Sequence, residues 1–173
     1  RRISSRYTHA ISYYAGVSPW CRDASHLLYL GVREDGQAEV VVQRLADGSE
    51  TALAPTGWFT YHNGANQQWI LDDRAVLYAD TDEGDGRRCC IAQLDRPGKP
   101  EEIEAFRGCN VRFVCRDQHH ALAASRELDG TAAIRRLDLG GRETEVLVTQ
   151  QEALDALPED MRTEFLEDSE TFH

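Results

Sequence analysis

Apolar residues in this chain fall in short runs of strand length that are separated by polar turns. Leu27-Leu28-Tyr29 and Val40-Val41-Val42 are typical of these runs. Aliphatic, β-branched and aromatic residues in runs of this length favour β-strands. The same order of runs and turns occurs three times, in residues 18–50, 68–94 and 112–143.

Asp-Gly pairs punctuate the runs and predict hairpin turns, because glycine adopts the positive φ that tight hairpins require. They are Asp35-Gly36, Asp47-Gly48, Asp85-Gly86 and Asp129-Gly130. A second set of aspartates, Asp23, Asp73 and Asp117, follows the first run of each repeat, where a carboxylate can accept backbone N–H bonds. Turns this frequent exclude a mainly helical chain.

The repeats are spaced like the blades of a β-propeller. The aromatic residue that opens each repeat is Trp20, Trp69 or Phe113, at separations of 49 and 44 residues. A period in the forties with four strand-like runs is typical of propeller blades. We therefore predict an all-β partial propeller of about three four-stranded antiparallel blades, at residues 12–54, 66–106 and 109–148, with the three aromatic residues at matching positions.

Residues 149–173 lack the strand pattern of the repeats, and we predict that they form an acidic helical linker. Residues 152–170 hold eight acidic side chains and one arginine, a net of −7. Leu154, Leu157, Met161 and Phe165 form one apolar stripe at helical spacing. Three blades cannot close a propeller, which typically has about four to eight. Truncation, assembly with another chain and a self-sufficient partial propeller all stay open, and the linker is expected to lead towards a fourth blade that this chain lacks.

The first repeat resembles TolB-like propellers through Ser18-Pro19-Trp20, Asp23 and Leu28-Tyr29. The opening stretch is similar to the start of oligogalacturonate-lyase-type propellers, in the residues Thr8-His9-Ala10-Ile11-Ser12-Tyr13-Tyr14 that lead to Pro19-Trp20. That resemblance implies metal-assisted β-elimination on oligogalacturonate, a step of pectin breakdown, with manganese held by a histidine cluster. The family's metal and base residues lie beyond the matched region, so the fragment alone is expected to be inactive and to hold no cofactor. The alternative is a non-catalytic TolB-like propeller that binds a protein or carbohydrate partner.

Charge and cysteine content narrow the function classes. The chain has 30 acidic and 19 basic residues, a net charge of −11, which argues against nucleic acid or an anionic membrane as the partner. No apolar run approaches the roughly 20 residues of a membrane-spanning helix. The five cysteines lack the paired spacing of zinc sites, and Cys89 and Cys90 are adjacent, so we expect reduced thiols and a cytoplasmic location.

Candidate binding residues precede or open the innermost strands, where propeller ligands commonly approach the channel. His9 and His62 hold comparable positions before their blades, and imidazoles bind metals or move protons near neutral pH. Strand alternation directs one amide of Gln67 and Gln68 towards a ligand, and Arg112 can pair with a carboxylate. We predict a polar mouth for an acidic sugar at these five residues, with no metal site and with no catalytic residue assigned. The chain has no GxSxG, P-loop or HExxH motif.

Overall fold

Three four-stranded antiparallel sheets follow one another along the chain in a computed structural model, which describes residues 4–12, 17–81, 87–126, 130–159 and 161–162. In every sheet the strands lie in chain order, as in a meander. The first holds β1 (His9–Ile11), β2 (His26–Val32), β3 (Ala38–Arg44) and β4 (Glu50–Thr56). The second holds β5 (Gln68–Ile70), β6 (Ala75–Thr81), β7 (Arg87–Gln93) and β8 (Glu101–Glu102). The third holds β9 (Asn110–Val114), β10 (His120–Arg126), β11 (Ala132–Asp138) and β12 (Glu143–Thr149).

The all-β prediction of three propeller-like blades is confirmed, and we refer to the sheets as blades one to three. Glycine at the hairpins behaves as expected, since Gly36 and Gly48 have φ of 84° and 74°. Asp85-Gly86, Asp129 and most of the second helical stretch of the tail lie outside the described residues. Blade one begins at His9 rather than after it, and the bridge from Trp20 to Leu27 continues its inner edge.

The strand register corrects one predicted equivalence. Trp20 pairs with Leu27 and Trp69 with Val76, each the second residue of the next strand. In blade three the matching residue is Val114, which pairs with the second residue of β10, whereas Phe113 pairs with the third. Because successive side chains of a strand point to opposite faces, Phe113 lies on the other face from the two tryptophans.

Apolar side chains hold the blades together face against face. The front face of blade one comprises Leu28, Leu30, Val32, Val40 and Val42, and it packs on the back face of blade two, comprising Trp69, Val76, Tyr78, Cys90 and Ala92. The front face of blade two, comprising Ile70, Ala75, Leu77, Cys89 and Ile91, packs in the same way on the back face of blade three, comprising Ala121, Ala123 and Leu137. Each fully buried side chain of this size stabilises the fold by about 1.5–3 kcal/mol.

Within the part of the chain that the structure describes, no other blade packs on the front face of blade three. Phe113 is 55% exposed, and Leu122 and Ile134 are also exposed. Phe113, on the inner strand, pairs with Leu122, so the two side chains lie on the same face. Among the blade faces that the structure describes, this one presents several large apolar side chains to solvent.

A short helix follows the last strand directly. Helix α1 (Gln150–Asp155) begins with a capping box, in which the Thr149 side chain and Glu152 satisfy each other's backbone N–H groups. Leu154 of the predicted stripe is buried, whereas Met161 is exposed. Within the part of the chain that the structure describes, no helix has the length and apolar character to cross a membrane.

The cysteines generate a first prediction. All five lie among the described residues, four of them buried, and each is a free cysteine in the structure. Burial is the main factor that raises the pKa of the Cys90 thiol from 9.0 to about 11. A shift of this size lowers the thiolate fraction near pH 8 by about 100-fold, and the thiolate is the nucleophile. We therefore expect iodoacetamide to modify Cys90 at least ~100-fold more slowly in the native protein than in urea, as followed by mass spectrometry. Equal rates, or fewer than five modified thiols in unreduced unfolded protein, would contradict this account.

Candidate functional site

The innermost strands β1, β5 and β9 line the pseudo-axis of the three blades, as the inner strands of a propeller do. The loops that lead into these strands lie at one end of the axis, called the leading end here. The turns that leave them, at residues 21–26, 70–75 and 115–120, lie at the other, called the turn end. Equivalent positions of a rotational repeat share an end, which decides which predicted residues can meet.

His9 and the loop that holds His62 meet at the leading end. His9 is the first residue of β1, and its ring contacts that of Tyr61 edge to face, with 5.5 Å between the ring centres. Tyr61 precedes His62 in the loop before β5, and Phe59 packs on Tyr61 in the same geometry at 5.6 Å. Both histidines are exposed. His9 and His62 therefore belong to neighbouring parts of the molecule.

The donor groups at the leading end do not form a metal site. Metal centres in proteins usually have at least three protein ligands. Among the described residues, no three His, Cys, Asp or Glu side chains are grouped so that they could hold a metal ion. The residues present therefore do not fit the manganese that the family resemblance implies, and no chemical step is derived through it.

Gln67 connects blade two to blade one. Its side chain is only 2% exposed, its Nε2 donates to the Ile11 carbonyl at 2.8 Å, and its Oε1 accepts the Ala65 N–H at 2.9 Å. A buried amide with both ends bonded holds the leading loop of blade two against β1.

Gln68 makes the corresponding connection to blade three. It is equally buried, and its Oε1 accepts the Val114 N–H at 2.9 Å, while its Nε2 donates to the Asn66 carbonyl at 3.4 Å. Alternation along the strand sends the two neighbouring amides in opposite directions, as predicted, but each direction leads to an adjacent blade. Both side chains are engaged in holding the inner strands in register.

Arg112 belongs to β9, the inner strand of blade three. It occupies the extra position of a β-bulge in β9, opposite the step from Leu122 to Ala123, and its side chain is exposed. It is not among the described residues that line the groove at the turn end. The five predicted residues thus divide into a histidine-bearing leading end, two inter-blade amides and one exposed arginine on the inner strand of blade three.

The turn end carries a polar network that the sequence did not predict. Arg22 of blade one donates from its backbone N–H to Asp73 Oδ2 at 2.7 Å, and its guanidinium reaches Asp72 Oδ1 at 3.0 Å. The same guanidinium donates to the Asp117 carbonyl of blade three at 3.3 Å. Gln118 closes the network, since its Nε2 donates to Asp73 Oδ1 at 2.7 Å and its Oε1 accepts the Asp73 N–H at 2.8 Å. Side chains from all three turns therefore join at one point.

The aspartates of these turns have two separate roles. By register, Asp23, Asp72 and Asp117 are equivalent, so Asp73 is one position away from the predicted place. Asp23 and Asp117 accept the backbone N–H two residues ahead at 2.9 Å, as expected. A hydrogen bond from His120 is the main factor that lowers the pKa of Asp117 to about 2. Asp73 bonds across to both neighbouring blades instead.

Backbone strain marks the turn of blade two. Leu71, Asp72 and Asp73 have φ of 53°, 58° and 61°, in the left-handed region that costs non-glycine residues about 1–2 kcal/mol each. Gln118 in blade three has a φ of 61°. The hydrogen bonds that join the turns offset this cost, because they fix Asp73 and Gln118 to each other.

Beside this network lies a groove with a volume of about 710 Å³, walled by aromatic rings. It is lined by Val17, Ser18, Trp20, Cys21, Arg22, Ala24, Gln68, Trp69, Phe113, Val114, Cys115, Arg116 and Gln118. Trp20 is 45% exposed, so its ring is accessible from the groove. Arg116 is exposed, and within the described residues its guanidinium has no hydrogen bond or ion pair, whereas Arg22 is held by Asp72. We call this the axial groove.

No protein-family model matches the chain, and no curated protein matches it. Solved structures do. A TolB-type protein from Agrobacterium tumefaciens has 17% sequence identity and a TM-score of 0.56, over 86% of this chain and 52% of that one. TolB from Acinetobacter baumannii has 19% identity and a TM-score of 0.57, over 78% and 32%. The β-propeller domain of the Trilobed protease from Pyrococcus furiosus, described as having an open velcro topology, has 15% identity and a TM-score of 0.52, over 76% and 41%.

These similarities show the fold. The chain has the architecture of part of a β-propeller similar to TolB and to peptidase propeller domains, and it spans a third to a half of the length of these proteins. The TolB-like part of the sequence resemblance agrees with this result. The comparisons give no support to the oligogalacturonate-lyase part.

The glutamines generate a second prediction. Replacing Gln67 by Ala leaves the Ala65 N–H and the Ile11 carbonyl without partners, and each buried unpaired group costs about 1–3 kcal/mol. We expect Gln67→Ala to lower the free energy of unfolding by about 2–3 kcal/mol in urea titrations followed by circular dichroism. The matched control is Gln37→Ala, an exposed hairpin residue, with an expected change within about 0.5 kcal/mol. Similar changes for the two variants would show that Gln67 does not join the blades.

Proposed function

We propose that this chain is a non-catalytic binding module that holds an acidic oligosaccharide in the axial groove. The observation that carries the proposal is the combination of exposed aromatic rings with an arginine whose guanidinium has no hydrogen bond or ion pair among the described residues. Trp20 and Phe113 present ring surface to the groove, and Arg116 stands at the same groove. Few other places in a folded protein leave large rings and an unsatisfied cation side by side.

The chemistry of an acidic sugar matches these groups. The C–H-rich face of a pyranose packs on aromatic rings, and the groove supplies two exposed ones, Trp20 and Phe113. A uronate carboxylate accepts two parallel hydrogen bonds from a guanidinium, and Arg116 is available for that role. Arg22 contributes positive charge at a fixed place, since Asp72 and the backbone carbonyls of blade three hold it. The net charge of −11 supplies no long-range attraction, so affinity depends on these local contacts.

The groove residues favour binding over turnover. Elimination from a uronate requires a base that takes the proton next to the carboxylate. No Asp, Glu, His or Lys is among the described residues that line the groove. Burial raises the pKa of the Cys115 thiol, so it is protonated near neutral pH, and the Cys21 thiol donates a hydrogen bond to Asp23. The histidines of the leading end lie at the other end of the inner strands.

Titration with trigalacturonate tests the proposal. We expect binding that quenches or shifts tryptophan fluorescence, because two tryptophans line the groove, and that weakens with added salt. Arg116→Gln is expected to weaken binding about tenfold, through loss of a charge-assisted pair. Trp20→Ala is expected to weaken it by a similar factor through loss of a stacking surface. Isothermal titration calorimetry gives the affinities.

Two controls make the result specific. Arg96→Gln removes another exposed arginine, which is not among the residues that line the groove, and it is expected to leave the affinity unchanged. Neutral galactotriose, which lacks the carboxylates, is expected to bind more weakly than trigalacturonate. Absence of trigalacturonate binding, or equal affinity for wild type and Arg116→Gln, would contradict the proposal. A rise of the ultraviolet absorbance of unsaturated products, with or without manganese, would replace it by the lyase activity.

A further inference from the structure

The back face of blade one is built as a surface for another blade. By strand register, Trp20, Leu27, Tyr29 and Val41 are the counterparts of Trp69, Val76, Tyr78 and Cys90. In blade two these residues are buried against the front face of blade one. Blade one has a tryptophan and a tyrosine at the same positions as blade two. No blade precedes it in the described chain.

A segment of the same chain covers the part of this face around Tyr29 and Val41. Tyr7 is only 3% exposed and packs edge to face on Tyr29, with 6.1 Å between the ring centres. The two tyrosines form a small apolar cluster with Val41, against which Leu27 packs. A Cβ atom added to Gly31 would lie 2.6 Å from the Tyr7 ring, so the glycine leaves the space that the ring fills.

Polar contacts fasten the segment in this place. The Tyr7 hydroxyl donates to Glu39 Oε2 at 2.8 Å. Arg33 holds the same carboxylate at 2.8 and 2.9 Å, and Arg6 donates to it at 3.1 Å. The Thr8 N–H donates to the Val32 carbonyl at 2.9 Å and so extends the edge of blade one towards Tyr7. Residues 4–8 are therefore tied to blade one by their ring, their backbone and their charges.

At the other side of the stack lies the front face of blade three, on which no other blade packs among the described residues. Leu122 and Ile134 on the front face of blade three are the register counterparts of Leu77 and Cys89, which bind the back face of blade three from blade two. A second copy of the chain offers a back face of the kind that such a front face accepts. Contacts between a front face and a back face are head to tail, and they produce rings or open chains of molecules.

We infer that residues 4–8 are an intramolecular cap that prevents the front face of blade three of a second copy from docking on the back face of blade one. The cap occupies the apolar surface around Tyr29 and Val41 from within the molecule, so a second copy cannot place its front face there without displacing Tyr7. β-Proteins commonly avoid association by covering the exposed parts of a sheet with another segment of the chain.

Two variants that remove the cap test the inference, with mass measured by light scattering across protein concentrations. Tyr7→Ala deletes the ring, and Gly31→Ala pushes the ring off while keeping every apolar side chain of the sheet. We expect wild type to remain at 19.5 kDa and both variants to form species of at least twice that mass as concentration rises. Adding Leu122→Glu to Gly31→Ala is expected to return the protein to the monomer.

Matched controls separate loss of the cap from general damage. Gly140→Ala places a methyl group where the nearest atom is 3.5 Å away, and Tyr7→Phe keeps the ring; both variants are expected to remain monomeric. Folded but monomeric Tyr7→Ala and Gly31→Ala variants would overturn the inference. So would association of wild type to the same extent, or failure of Leu122→Glu to reverse it. Loss of the fold in both uncapped variants would also overturn it, because Tyr7 would then be part of the core instead of a cover.

Discussion

The front-to-back contact between successive blades is the interaction on which the rest of this molecule depends. Trp69 and Tyr78 of blade two are buried against the front face of blade one, and the Trp69 indole N–H donates to the Pro19 carbonyl at 3.0 Å. Large aromatic side chains contribute much of the burial in such contacts, and the single polar atom of the indole is satisfied across the interface. This contact sets the position of one inner strand relative to the next. The axial groove exists because three inner strands are fixed in this way.

Hydrogen bonds then fix the positions of the inner strands along one another, which apolar packing alone does not determine. Gln67 and Gln68 join β5 to both neighbouring inner strands, and Asp73 with Gln118 joins the turns at the opposite end. These bonds are buried or partly buried, so breaking one leaves groups that water cannot readily satisfy. The strained backbone at Asp72 and Asp73 is kept in place by the same bonds. A groove built from such fixed strands presents its rings and its arginine without paying to order them when a ligand binds.

Sequence reasoning reached the architecture and missed most of the site, for physical reasons. Recurrent turns and strand-length runs are local signals, so the blades could be counted from them. The equivalence of Phe113 with Trp20 and Trp69 was wrong because residue type does not show on which side of a strand a side chain lies. The network at Arg22 joins residues about 50 and 95 positions apart, and the neighbouring acids Asp72 and Asp73 were its only visible sign. Strand alternation predicted that the amides of Gln67 and Gln68 point in opposite directions. It could not predict that each amide bonds to a neighbouring blade.

Native-state hydrogen exchange, read amide by amide in dilute protein, measures the dependence of the inner strands on blade stacking most directly. Blade two is packed on both faces and blade three on one, so we expect the amides of β6 and β7 to exchange most slowly and those of β10 and β11 faster. The Val114 amide, bonded to Gln68, should exchange as slowly as those of blade two. Equal protection of β6, β7, β10 and β11, together with a Val114 amide that exchanges at the rate of an open loop, would show that the blades do not hold one another in place.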